Sequence, residues 1–176
     1  MSTKLELLAI YRTAINRVQF AYACLVLWSY PDAPVIFEAM HAEMSDDLKP
    51  FPAVVDLLHD QQSMKIVCEQ LYELAYRSAL NELFPLTKTY CYETNQLALL
   101  KSQSWFSFWR ILRNCWSHDM KFNFNPAEHA LLPIKWSGVT IDASMNGRPI
   151  TNGQFPRAKV LELVEAIRTF IEREVA

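Results

Sequence analysis

The stretch RNCWSHDM, Arg113 to Met120, sets an arginine, an asparagine and a histidine close together in a segment otherwise dense in tryptophan and phenylalanine. Arginine keeps its charge at any working pH, and its planar fork matches the oxygens of a phosphate. Histidine both takes and gives a proton near neutrality. On a helix, Asn114 and His118 are four apart and lie one above the other, with Arg113 beside them. One concave site then receives an anionic group at Arg113 and exchanges a proton at His118. That combination suits phosphodiester chemistry.

A helical wheel separates these residues from the core. With Trp105 at zero and a step of about 100° per residue, Trp105, Phe108, Trp109, Leu112, Cys115 and Trp116 share one arc, the expected core face. Arg113, Ser117, Arg110, Asn114, Ser107 and His118 fall around the other side, from about 80° to about 220°. His118 is therefore expected off the apolar face, which argues against a histidine satisfied inside the core. Phe106 and Ile111 are the large apolar residues outside that arc, so this side is expected to be partly covered by a second packed surface, with the Arg113 to His118 face near the two-fold axis of a dimer. The plain alternative is a solvated helix face that happens to carry arginine and histidine.

Charge around the motif supports an anionic ligand. The whole chain carries −2 with a pI near 6.1, unlike proteins that coat duplex nucleic acid. Between Lys101 and Lys121, however, Lys101, Arg110, Arg113 and Lys121 stand against Asp119 alone. A small basic face results, with Arg110, Ser117 and Lys121 as the expected substrate-binding neighbours of the catalytic set Arg113, Asn114 and His118.

Other constellations are weaker. Cys91, Cys115, His118 and Asp119 make a poor zinc site, because only C-x2-H is local and no second ligand pair exists. Cys115 with His118 as a nucleophile pair suffers from the place of Cys115 on the core arc, where a thiol is inert. His41 near Glu43, Asp46 and Asp47 reads as part of a solvated acidic segment, and His59 and His129 have no partner at a telling spacing. With three glycines in the chain there is no glycine-rich phosphate loop. No metal and no cofactor are expected.

The elements that position the motif read as helices. Half of the residues are hydrophobic and glycine is scarce, which favours helix over a turn-rich β fold. At 176 residues the expectation is a single domain, 1–176. Thr3 and Glu6 have capping-box spacing, and Leu5, Leu8, Ala9, Ile15, Val18, Tyr22, Leu25 and Val26 recur at helical intervals until YPDAP ends the run. Val35 to Leu58 is acidic, and Pro50 and Pro52 interrupt it, so short helices with a proline break are expected. Ser63 to about Leu83 is a second long helix ending before Pro85, with Leu71, Leu74, Ala75, Ala79 and Leu83 as its buried stripe. Helix resumes near Gln96, with a break at Ser102 to Ser104. After the motif come most of the turn signals, including two Asn-Gly pairs, and IKW and VTID read as strands of a hairpin. The last helix buries Val160, Leu163, Val164, Ile167, Phe170 and Ile171. The fold expected is an all-α bundle with a small β-hairpin appendage, within 127–155, before the last helix.

The four cysteines are scattered, as reduced thiols in a cytosolic protein would be. The N-terminus lacks a signal-peptide pattern, and the apolar run Phe20 to Trp28 is well short of the roughly 20 residues a membrane span needs. A soluble, cytoplasmic protein without membrane contact is expected.

The string LRNCWSH resembles the R-x4-H motif, with a polar residue after the arginine, of the HEPN superfamily of helical-bundle proteins. Arg113, Asn114 and His118 occupy its three positions. The resemblance implies a metal-independent endoribonuclease acting on RNA, of the kind found in toxin–antitoxin and phage-defence systems. It also implies a homodimer whose two motifs face each other across one cleft. A non-catalytic HEPN-like module, pairing with a nucleotidyltransferase, an antitoxin or another protein, is the alternative it allows. The hairpin region departs from a minimal HEPN bundle.

Overall fold

The computed structural model describes residues 3–43, 57, 59–117, 120–151 and 153–176. It is mostly helical: α1 (Lys4–Leu27), α2 (Ala33–Glu43), α3 (Gln61–Glu93), α4 (Leu97–Ser102), α5 (Phe106–Ser117) and α6 (Pro126–His129) precede a hairpin of β1 (Ile134–Trp136) and β2 (Val139–Ile141), and α7 (Arg157–Arg173) follows it. The all-α class with a hairpin before the last helix is as the sequence predicts.

Local chemistry sets most of the boundaries. The Thr3 to Glu6 capping box forms, with the Thr3 backbone N–H donating to Glu6 at 2.6 Å and the Glu6 N–H to the Thr3 hydroxyl at 3.2 Å. Asp60 caps α3 by accepting from the backbone of Gln62 and Ser63 and from the Ser63 hydroxyl. The bonds from Ser63 hold the Asp60 carboxyl below its usual range. In the hairpin, Ser137 and Gly138 both take positive φ, 45° and 80°, the left-handed pair that a tight two-residue turn needs. Asn146 and Gly147 form a separate turn closed by the Arg148 N–H on the Met145 carbonyl at 2.9 Å.

Two expectations about α3 are corrected. α3 does not end before Pro85 but runs through it to Glu93. Proline there removes a donor from the ladder, yet the following turns are tied down by burial of Thr87, Tyr90 and Cys91 and by the Thr87 hydroxyl donating to the Leu83 carbonyl at 2.8 Å. Of the stripe expected for α3, Ala79 and Leu83 are buried but Leu71 and Leu74 are exposed; Met64, Cys68, Tyr72, Tyr76, Leu80, Phe84, Thr87, Tyr90 and Cys91 make up the rest of its buried face. In α1 the buried positions are Leu7, Tyr11, Ala14, Val18 and Ala21, while Leu5, Tyr22 and Val26 face outward. Both buried faces set tyrosines and small residues among a few leucines, Leu7 in α1 and Leu80 and Leu83 in α3. Tyrosine fills a large volume and its hydroxyl finds a partner, and alanine lets helices approach closely. Residues 44–56, with Pro50 and Pro52, lie outside the described residues.

The chain packs as two compact units, 15–76 and the combination of 1–14 with 77–176. In the first, Met64 and Cys68 form a small core with Leu25, Trp28, Phe37 and Leu57 against it, and Trp28 meets Phe37 edge-on at 5.6 Å. His59 does have a partner here, Glu38 of α2, which sequence spacing does not reveal.

The second unit carries the motif. Its core joins α5 to α7 and to the C-terminal part of α3, and the Tyr11 hydroxyl donates to Thr87 at 2.7 Å inside it. Burial holds the Tyr11 phenol well above its ordinary range and raises Cys91 to about 11 and Cys115 to about 12, against 9.0 for a free thiol. Unfolded thiols ionise near pH 9.0 while the buried ones keep their protons, so unfolding above that pH releases protons. Stability is then fully present below pH 9.0 and falls as pH rises towards about 12, by up to about 1.4 kcal/mol per pH unit for each such group. Urea melts from pH 8 to 11 check this, and Cys115→Ala is expected to flatten the slope.

Candidate functional site

The core face of α5 is as the wheel predicts: Trp105, Phe108, Trp109, Leu112, Cys115 and Trp116 are all buried. Each anchor has its own neighbour. Trp109 donates its indole N–H to the Leu80 carbonyl at 3.3 Å and meets Phe84 edge-on at 4.9 Å. Trp105 meets Phe170 of α7, Phe108 lies against Trp136 of the hairpin and Phe155, and Trp116 also reaches Phe155. Rotation and translation of α5 are thereby set from three sides, which fixes where its polar face points.

Phe106 and Ile111 are buried within the same chain, Phe106 by stacking on Phe84 at 5.7 Å. They are covered rather than facing water, as expected, and the cover comes from within the chain. Packing that α5 receives on both flanks is the reason.

On the polar face, Arg113 and Asn114 are joined: Arg113 donates from Nη1 to Asn114 Oδ1 at 3.1 Å. Asn114 in turn donates from Nδ2 to Glu128 Oε1 at 2.7 Å. Glu128 is the buried acidic residue of this region, 2% exposed, and its other oxygen accepts the Asn125 backbone N–H at 3.1 Å. The Asn125 side chain closes the capping box on the Glu128 N–H at 3.0 Å, with Pro126 in the first turn of α6.

The chain between α5 and α6 is guided there by a short ladder with residues 146–150. Ile150 N–H donates to the Met120 carbonyl at 3.1 Å, Phe122 N–H to Arg148 at 2.9 Å, Gly147 N–H to Phe122 at 2.7 Å and Phe124 N–H to the Asn146 side chain at 3.0 Å. Met120, at φ 60°, makes the reversal that starts it. The region around the hairpin therefore delivers Glu128 to the motif and is part of the site's frame.

Of the six site residues expected, the structure brings Arg113 and Asn114 together. Arg110 is half-buried one turn earlier on α5, and Ser117 is exposed at its end. Lys121 is exposed, on an isolated bridge to Pro149. His118 lies outside the described residues. Arg113 Nε and Arg110 Nη2 are enclosed with no hydrogen-bond partner among the described residues. Glu128 was not legible as a site residue; Asn-Pro-x-Glu signals a capped helix start, but the same spacing says nothing of the second carboxylate oxygen.

As a thiol nucleophile Cys115 is unsuited, since burial keeps it protonated. Among the described residues, no group of three His, Cys, Asp or Glu side chains is arranged to hold a metal ion, and no helix is long and apolar enough to cross a membrane. No family model, curated protein or solved structure matches this chain. The functional reading rests on its own residues.

Proposed function

We infer that the chain is a HEPN-like endoribonuclease that cuts RNA without a metal ion. The observation that carries this reading is Arg113, a half-buried guanidinium tied to Asn114 on the polar side of α5, in the R-N-x-x-x-H spacing. A cation held in place offers phosphate charge a site that needs little reorganisation. In this reading Arg113 stabilises the phosphorane, Asn114 holds Arg113, and His118 moves protons. The ribose 2′-oxygen attacks the adjacent phosphorus, the bond to the 5′-oxygen breaks, one proton leaves the 2′-hydroxyl and one reaches the departing oxygen. Arg110, Ser117 and Lys121 contact the RNA backbone on either side.

Two proton transfers suit two histidines, and a homodimer with facing motifs supplies them. Light scattering is expected to find a dimer at micromolar concentration. A monomer that cuts RNA at the same rate at every concentration would remove the composite site. The reading places the protein in the cytoplasm, in a toxin or phage-defence setting with an antitoxin or nucleotidyltransferase partner. Incubation of the purified protein with mixed RNA in EDTA, beside its His118→Ala variant, tests the activity. A folded dimer that binds RNA and leaves it intact would favour the non-catalytic binding module.

A further inference from the structure

We propose that Glu128 is a positioning residue for Arg113: it holds the Asn114 amide in one orientation, and that amide holds the guanidinium. An asparagine amide has a donor end and an acceptor end that a half-turn exchanges. Both of its neighbours here are single-minded. A guanidinium only donates, so it requires Asn114 Oδ1, and the carboxylate oxygen of Glu128 accepts from Asn114 Nδ2. Without Glu128 the amide is free to turn its NH2 group towards Arg113, where two donors meet and no bond forms.

The hold on Arg113 depends on this bond. Among the described residues the Asn114 carbonyl is the one hydrogen-bond acceptor that Arg113 has, and its Nε has none. Glu128 is itself immobilised by burial, by the Asn125 backbone N–H and by the capping box of α6. The chain Glu128, Asn114, Arg113 thus transmits the placement of α6 to the cation of the proposed site. Its bearing on catalysis rests on the reading of Arg113 as the phosphate-binding residue; its bearing on the guanidinium does not.

The test uses the full-length protein and three sequences: wild type, Glu128→Gln and Asn125→Ala. Glutamine keeps the shape but turns one acceptor into a donor, so it cannot serve both Asn114 and the Asn125 N–H. Alanine at 125 removes the cap bond and leaves the carboxylate and the amide in place. In NMR of protein labelled at arginine nitrogen, without RNA, Glu128→Gln is expected to speed rotation of the Arg113 guanidinium several-fold, and Asn125→Ala to leave it as in wild type. With RNA, Glu128→Gln should lower kcat on the order of 10²-fold with KM little changed, as misplacement of a reacting group does.

Unchanged Arg113 rotation in Glu128→Gln overturns the proposal. So does Asn125→Ala reproducing the whole effect, because Glu128 would then act only through the helix cap. Should Glu128→Gln fail to fold, the Asn114 side-chain amide of the wild type decides: slow hydrogen exchange is expected, and exchange at the rate of a surface asparagine overturns the proposal. If wild type cuts no RNA, the nuclease reading fails while the rotation measurement still judges Glu128.

Discussion

Arg113→Ala is expected to slow RNA cleavage by about 10²- to 10³-fold, the scale of removing one donor from a developing oxyanion. His118→Ala should slow it by about 10²- to 10⁴-fold, the scale of a general acid or base. Both losses should appear in kcat, because both groups act mainly on charge and protons that exist only in the transition state. The products distinguish this chemistry from its competitors. An upstream 2′,3′-cyclic phosphate and a downstream 5′-hydroxyl are expected, in the presence of EDTA, with DNA spared and with cleavage abolished by a 2′-deoxy substitution at the cut site. End-group analysis of one oligonucleotide cleaved in EDTA reads the first three, and parallel incubations with DNA and with the 2′-deoxy oligonucleotide read the other two. A 5′-phosphate product that vanishes with chelator would mean a metal-activated water and would sink the proposed mechanism.

Trp109→Ala should cost about 3 to 5 kcal/mol. Trp109 is fully buried, its ring packs against Phe84 and Trp105, and its N–H has the Leu80 carbonyl as partner. Loss of the ring leaves a large void between α5 and α3. For a chain of this size that corresponds to a fall in Tm of roughly 6 to 20 °C, while Ser117→Ala, on an exposed side chain, should shift stability by less than about 0.5 kcal/mol. Leu112→Ala belongs with Trp109, at about 2 to 5 kcal/mol. A Trp109→Ala protein melting within a degree of wild type would mean that α5 does not depend on this anchor.

Where one turn of chain decides the outcome, the amino acids alone were sufficient. The core arc of α5, the break before it, the capping box at Thr3, the two hairpin strands and the buried face of α7 were all legible, because hydrophobic period, caps and turn residues act over three or four positions. In α1 and α3 two faces carry apolar residues, so periodicity finds the helix without choosing its buried side. Tertiary packing chose the tyrosine and alanine positions over Leu5, Leu71 and Leu74, since Tyr11 finds Thr87 only once α1 meets α3. Pro85 is tolerated inside α3 for the same reason: contacts distant in sequence, Tyr11 with Thr87 and the Tyr90 hydroxyl on the Ala176 carbonyl, tie down the turns beyond it.

At the site the division is sharper. Sequence spacing places Arg113 and Asn114 side by side on a polar face, a consequence of helix geometry alone. That Asn114 is gripped by a buried carboxylate 14 residues away follows from the Met120 reversal, the ladder to residues 146–150 and the cap at Asn125 acting together. No periodic pattern spans such a connection, because its length and direction are set by loop closure and by the long-range pairing that closes it.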